Sequence, residues 1–155
     1  MAQLRRRQDG IDAFWTNDWN RYPANRARLL QHIHNSKVSN PVVISGDIHS
    51  FLANDLKLDF DDQASPVVAS EFVGSSPPYD PIARLPDNPH VHFSDSRRRG
   101  YVMIDLTPEE MQARMRVVSD AQDPKATIAT FNLRACPLMA ESLLMAQSLL
   151  MKRRH

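Results

Sequence analysis

Apolar and polar positions divide the chain into short units set apart by glycine, proline and acidic turns. The opening segment, Ala2 to Gly10, is polar and arginine-rich and closes on the turn signal Asp9-Gly10, so it reads as the tail of an element begun further upstream. Pro23 stands at a first helical position. Ala24 to Asn35 follows with Ala27, Leu30 and either Ile33 or His34 on one face, which predicts a helix. Asn40-Pro41 breaks it. Val42, Val43 and Ile44 then form a continuous β-branched run, the pattern of a strand buried on both faces, ending at Ser45-Gly46. From Phe51 to Phe60 the apolar residues Phe51, Ala53, Leu56, Leu58 and Phe60 fall largely in period two, predicting a strand with one wet face. An acidic turn at Asp59, Asp61 and Asp62 separates it from a further apolar run, Pro66 to Val73, which stops at Gly74.

Ser75 to Pro89 holds Pro77, Pro78, Pro81, Pro86 and Pro89, too many for a regular element, and predicts a long loop. A short strand at Val91 to Phe93, a basic turn at Arg97 to Gly100 and a strand at Tyr101 to Leu106 follow. Met111, Ala113, Met115 and Val117 alternate as a returning strand, while Thr107-Pro108-Glu109-Glu110 equally fits a helix start. Thr127 to Leu133 alternates again and closes the sheet. Ala140 to Leu150 reads as a helix whose end carries Lys152, Arg153 and Arg154. Together these elements predict an α/β (α+β) fold with a mixed sheet and flanking helices.

Composition narrows the picture. A chain of 155 residues with 42% hydrophobic and 24% charged positions has the size and balance of one soluble globular domain. The mean hydropathy of -0.45 and 7% aromatics make for a thin core. A net charge of +1 creates no global field to gather nucleic acid or anionic lipid, so neither is expected as a partner. The lone cysteine, Cys136, forms no intrachain disulfide. No apolar run approaches the roughly 20 residues that span a bilayer, and Met1 to Gly10 has arginines but no apolar core of an export signal.

The sharpest chemical feature is Val42 to Ser50. A buried strand running into a glycine turn delivers its next polar side chains to the carboxyl edge of a sheet, where α/β proteins place their sites. Asp47 and His49 are two apart, so in an extended segment they share one side, and a carboxylate oxygen beside an imidazole nitrogen can hold a metal. The plainer reading is a turn-capping Asp47 and a satisfied surface His49. Two ligands also fall short of the three or four protein ligands of a catalytic site.

Other candidates carry less. His32 and His34 face different sides of the predicted helix, whereas His90 and His92, flanking Val91, share one side of a short strand. Arg97 to Arg99 suits an anion or a solvated turn, and Lys152 to His155 lacks the interleaved aromatics of a base-stacking surface. Trp15, Trp19 and Tyr22 suit an aromatic wall or ordinary packing. Ser75 and Ser76 follow Gly74 without forming a nucleophile elbow.

Several separated segments, in order, resemble the carboxy-terminal half of one family, the PhoD-like (alkaline phosphatase D) metallophosphatases. They are Asn17 to Pro23 with the Ala24 to Leu30 helix, Asn40 to Ser50, Ala53 to Leu56, Ser70 to Ser76, Asn88 to Phe93 and Arg99 to Val102. The resemblance runs roughly from Met1 to Pro137 and implies part of an αββα sandwich over residues 1–138, followed by a terminal helix and basic tail over residues 139–155. It implies phosphomonoesterase and phosphodiesterase chemistry on a phosphate ester, with a metal centre commonly of calcium and iron. Through its Gly-Asp-x-His-Ser motif the resemblance implies that Asp47 and His49 are metal ligands, and it also implies that Glu71 to Ser76 lies in or near the site.

Two departures accompany it. Asn20-Arg21 stands where the family has Asp-Gly, and the family's remaining ligands, from its amino-terminal half, have no counterparts in this chain. Cys136 lies near the wrong end to be the family's cysteine ligand. The expectation is a carboxy-terminal piece inactive alone, whose partner is the missing amino-terminal half. A twin-arginine export signal would belong to that front portion. The competing expectation is a non-catalytic remnant or interaction module that needs a partner chain.

Overall fold

Nine strands and one α-helix make up most of the computed structural model, which describes residues 2–8, 11–14, 19–74 and 88–137. Arg5–Gln8 (β1) and Ile11–Phe14 (β2) pair antiparallel, with Gln8 opposite Ile11. Asp9 and Gly10, the predicted turn, lie outside the described residues. A single 3-10 turn, Trp19–Arg21, leads into helix α1, Pro23–Asn35, which begins on the expected proline.

Four strands form the central sheet: Val42–Ser45 (β3), Phe51–Lys57 (β4), Val67–Val73 (β5) and Val91–Asp95 (β6), in the order β3-β5-β4-β6. Only β3 and β5 run parallel; the other pairs are antiparallel, so the sheet is mixed as expected. Gly100–Leu106 (β7), Glu110–Val118 (β8) and Ile128–Pro137 (β9) make a separate antiparallel meander. The Met111 segment is thus a strand. Thr107 Oγ1 accepts the N–H groups of Glu109 and Glu110, while the Thr107 N–H returns to the Glu110 carbonyl, which closes a tight turn instead of starting a helix.

The layers stack as helix, sheet, sheet. On one face of the central sheet Leu52, Leu56, Val73 and Val91 pack with Leu30 of α1 and with Ala2 and Leu4. On the other face Phe51, Ala53 and Phe72 meet Met111, Ala113 and Met115 of β8. Gly100 sits so close to β8 that a Cβ there would come 1.8 Å from the Arg116 carbonyl oxygen, and only glycine fits.

This stacking corrects three expectations. The Phe51 strand has no wet face, because β4 is interior to its sheet and covered on both sides; even Asn54 is buried. The Val42 strand, expected to be buried on both faces, is an edge strand with Ile44 61% exposed, since β-branched content reports strand propensity and not position within a sheet. Helix α1 buries Arg26 and Leu30 instead of Ala27. The Arg26 guanidinium donates to Asn20 Oδ1 at 2.6 Å and to Gln3 Oε1 at 2.5 Å, and lies 5.2 Å from the centre of the Phe60 ring. A paired guanidinium on an apolar stem can lie inward where an unpaired one could not. The proline-rich loop over 75–87 and the helix at 140–150 lie outside the described residues. Among the described residues no helix is long and apolar enough to cross a membrane.

Candidate functional site

Ser45 is the last residue of β3, and its carbonyl accepts the Gly74 N–H at 2.9 Å, so β3 and β5 end together. Beyond it the chain leaves the sheet sharply: the Ile48 N–H returns to the Gly46 carbonyl at 2.9 Å. Asp47 (φ 70°) and His49 (φ 60°) both hold left-handed backbone conformations. Such positions cost a non-glycine residue roughly 1–2 kcal/mol, so the surrounding structure must hold them. Ile48 packs against the helix-side core and Ser50 is buried, pinning the turn on both sides of His49. The segment is therefore not extended, as the two-residue spacing had implied; Asp47 and His49 both lie in the tight turn that follows the end of β3.

Asp47 lies at a cavity of about 330 Å³ formed between the end of β3 and the amino-terminal segment. Its walls include Ala2, Leu4, Trp19 and Ile48, and Asn54 and Glu71 line it from the sheet. Glu71 is 1% exposed and anchors three segments at once. Its carboxylate accepts the Ala2 N–H at 2.9 Å, the Ser45 hydroxyl at 2.8 Å and the Asn54 Nδ2 at 3.2 Å. Burial pushes this carboxyl up, but the chain's amino end and the hydrogen bonds from Ala2 and Ser45 outweigh it and hold the group below its ordinary value. Sequence reasoning placed Glu71 near the site without a role. The available signal was a single carboxylate inside the apolar run Val67–Val73.

Asp47 and His49 fit a metal in kind, as a hard carboxylate oxygen beside an imidazole nitrogen. They fall short in number. Among the described residues no group of three or more His, Cys, Asp or Glu side chains is placed to hold a metal ion.

The remaining candidates separate. His90 is buried, meets the Phe60 ring edge-on with centres 5.0 Å apart, and is pushed down to about 4, chiefly by burial. His92 instead contacts Asp55 Oδ2 through Nε2 at 2.7 Å, which raises it. One is a neutral core histidine and the other a half of an interstrand pair, so they do not form a shared site. Arg98 is also committed: it pairs with Asp95 at 2.7 Å and stacks 3.8 Å from the centre of the Phe131 ring. Asp95 Oδ1 further accepts the N–H groups of Arg97 and Arg98, so the basic turn is built around a carboxylate. His32 and His34 are exposed on the last turn of α1. Of the aromatic wall, Trp19 lines the cavity while Tyr22 is exposed; Trp15, Ser75 and Ser76 lie outside the described residues.

Comparison with known proteins meets this geometry from another side. Residues 1–115 match the model of a family described as PhoD-like phosphatase. Alkaline phosphatase D of Bacillus subtilis (strain 168) is 34% identical over 123 residues, covering 74% of this chain and 21% of that protein. A solved structure described as the structure of PhoD superposes with a TM-score of 0.73 at 30% identity, over 84% of this chain and 27% of that one. The chain thus spans about a fifth of the length of the curated relative it matches. The family pattern runs from the first residue into β8, through the strained turn and the Glu71 strand, and a solved relative shares the fold: this chain belongs to the PhoD-like phosphatases.

Proposed function

We propose that this chain contributes Asp47 and His49 to the metal site of an alkaline phosphatase D-like phosphomonoesterase or phosphodiesterase. The observation that carries the reading is the pair of left-handed residues at the end of β3. A residue with a carboxylate and one with an imidazole each hold a strained backbone there, two positions apart in one tight turn. Bound cations, calcium with iron by family likeness, supply positive charge that stabilises the phosphoryl oxygens as an ester is cleaved. Asp47 and His49 would hold such a cation, with Ile48 and Ser50 anchoring the turn between and after them. Residues 1–138 form the PhoD-like part in this reading, with residues 139–155 following it as a separate segment.

Two ligands do not hold a catalytic cluster, so the 155-residue chain alone is expected to hydrolyse an aryl phosphate negligibly, with or without added calcium and iron. Turnover by the purified chain that disappears in Asp47→Ala would keep the ligand assignment but overturn the need for further ligands. Turnover indifferent to Asp47→Ala and to chelators would overturn the metal reading itself. A second reading, an interaction module needing a partner chain, is favoured by one observation. Within the described sheet β3 is an edge strand, and it presents the exposed Ile44.

A further inference from the structure

Glu71 is an expensive residue for its place. Its register partners are Val43 on β3 and Asn54 on β4, and the residues on its own face of β5, Ala69 and Val73, are buried and apolar, so a valine there would fill the sheet without desolvating a charge. A buried carboxylate persists only where donors surround it, and these come from three separate segments: Ala2, Ser45 and Asn54. The Ser45 bond matters most for the site. Ser45 is the final in-sheet residue before the turn, and it is clamped twice, by its hydroxyl to Glu71 Oε1 at 2.8 Å and by its carbonyl to the Gly74 N–H at 2.9 Å. With Ser45 fixed, the next four residues start from one defined backbone direction. Asp47 and His49 hold their left-handed conformations within those four.

We propose that Glu71 is a positioning residue, which through Ser45 sets the direction in which Asp47 and His49 leave the sheet. Its effect on metal binding rests on the reading of those two residues as ligands; its effect on the turn does not. The first arm of the test uses the amide NMR signals of the full chain. Ser45→Ala, which removes only the hydroxyl, and Glu71→Gln, which removes the charge at nearly constant size, should both shift the Gly46 to His49 amides while the β7 to β9 signals stay in place. Ser45→Thr, which keeps a hydroxyl, should restore the wild-type positions. The second arm titrates Mn²⁺ and follows paramagnetic broadening at Asp47 and His49, which reads weak binding directly. Removing a partner behind a metal ligand typically weakens binding by about 10- to 100-fold, and that loss is expected in Ser45→Ala with rescue in Ser45→Thr.

Unshifted 46–49 amides in folded Ser45→Ala would overturn the positioning role whatever the metal result. Shifted amides without any Mn²⁺ broadening in the wild type would support the positioning role and overturn the ligand reading instead. Should Glu71→Gln fail to fold, the serine pair alone decides the matter.

Discussion

The two faces of the central sheet are built on opposite terms. Toward the β7-β8-β9 meander it presents Phe51, Ala53 and Phe72 against Met111, Ala113 and Met115, an apolar seam. Toward α1 it mixes Leu52, Leu56 and Val73 with the buried polar groups Ser50, Asn54 and Glu71. A seam of the first kind stabilises through burial alone and says little about chemistry. The second kind carries cost: the buried Ser50 hydroxyl and the Asn54 carbonyl oxygen have no hydrogen-bond partner among the described residues. Those two atoms flank the turn bearing Asp47 and His49, although His90 on the helix side and Arg116 and Arg134 in the meander also bury side-chain nitrogens without a hydrogen-bond partner among the described residues. Sites of function are where local rules of folding are broken and the surroundings compensate.

If that contrast is right, the largest single loss comes from the apolar seam. Phe51→Ala, at a residue with no exposed surface, should cost about 3–5 kcal/mol of unfolding free energy by urea titration, with little prior disturbance at the turn. A loss below about 1 kcal/mol would mean that the two sheets are not joined through it.

On the helix side the expected signature is a dependence on pH. His90, held near 4 when folded against an ordinary value of 6.5, binds fewer protons in the folded chain than in the unfolded chain across that window. Its contribution is therefore fully present above about pH 6.5 and is lost as pH falls toward 4, with a limiting slope of about 1.4 kcal/mol per pH unit. Asp55, Lys57 and His92 lie close enough to modulate it. Unfolding curves of wild type and His90→Phe between pH 4 and 7 measure the effect; parallel stability profiles would contradict it.

The smallest effect has the opposite sign. Glycine adopts left-handed backbone without penalty, so His49→Gly should leave the chain as stable or more stable, by up to about 1 kcal/mol, while removing a candidate ligand. A clear destabilisation would show that the His49 side chain serves the fold.

Much of this was legible in advance where the information is local. Pro23 marks the start of α1, the alternation Met111, Ala113, Met115 marks β8, and Ser45-Gly46 marks the end of β3, whereas Gly-Asp-x-His-Ser offers Asp47 and His49 as candidate ligands and no more. What stayed hidden depends on contacts far apart in sequence. Whether β3 or β4 is the edge strand follows from sheet order, which no run of β-branched residues encodes. The spacing of Asp47 and His49 gave their backbone wrongly, because a period of two assumes an extended chain. Glu71 reaches Ser45 across 26 positions and Ala2 across 69, so its carboxylate stood out in an apolar run while its purpose did not.

The most direct measurement uses a chimera in which residues 1–137 of this chain replace the matching segment of the Bacillus subtilis relative, assayed for aryl phosphate hydrolysis. Asp47 and His49 as ligands predict a metal-dependent phosphatase whose turnover falls at least about 100-fold in both Asp47→Ala and His49→Ala, with the fold retained. A chimera that turns over equally well without either side chain would contradict the account.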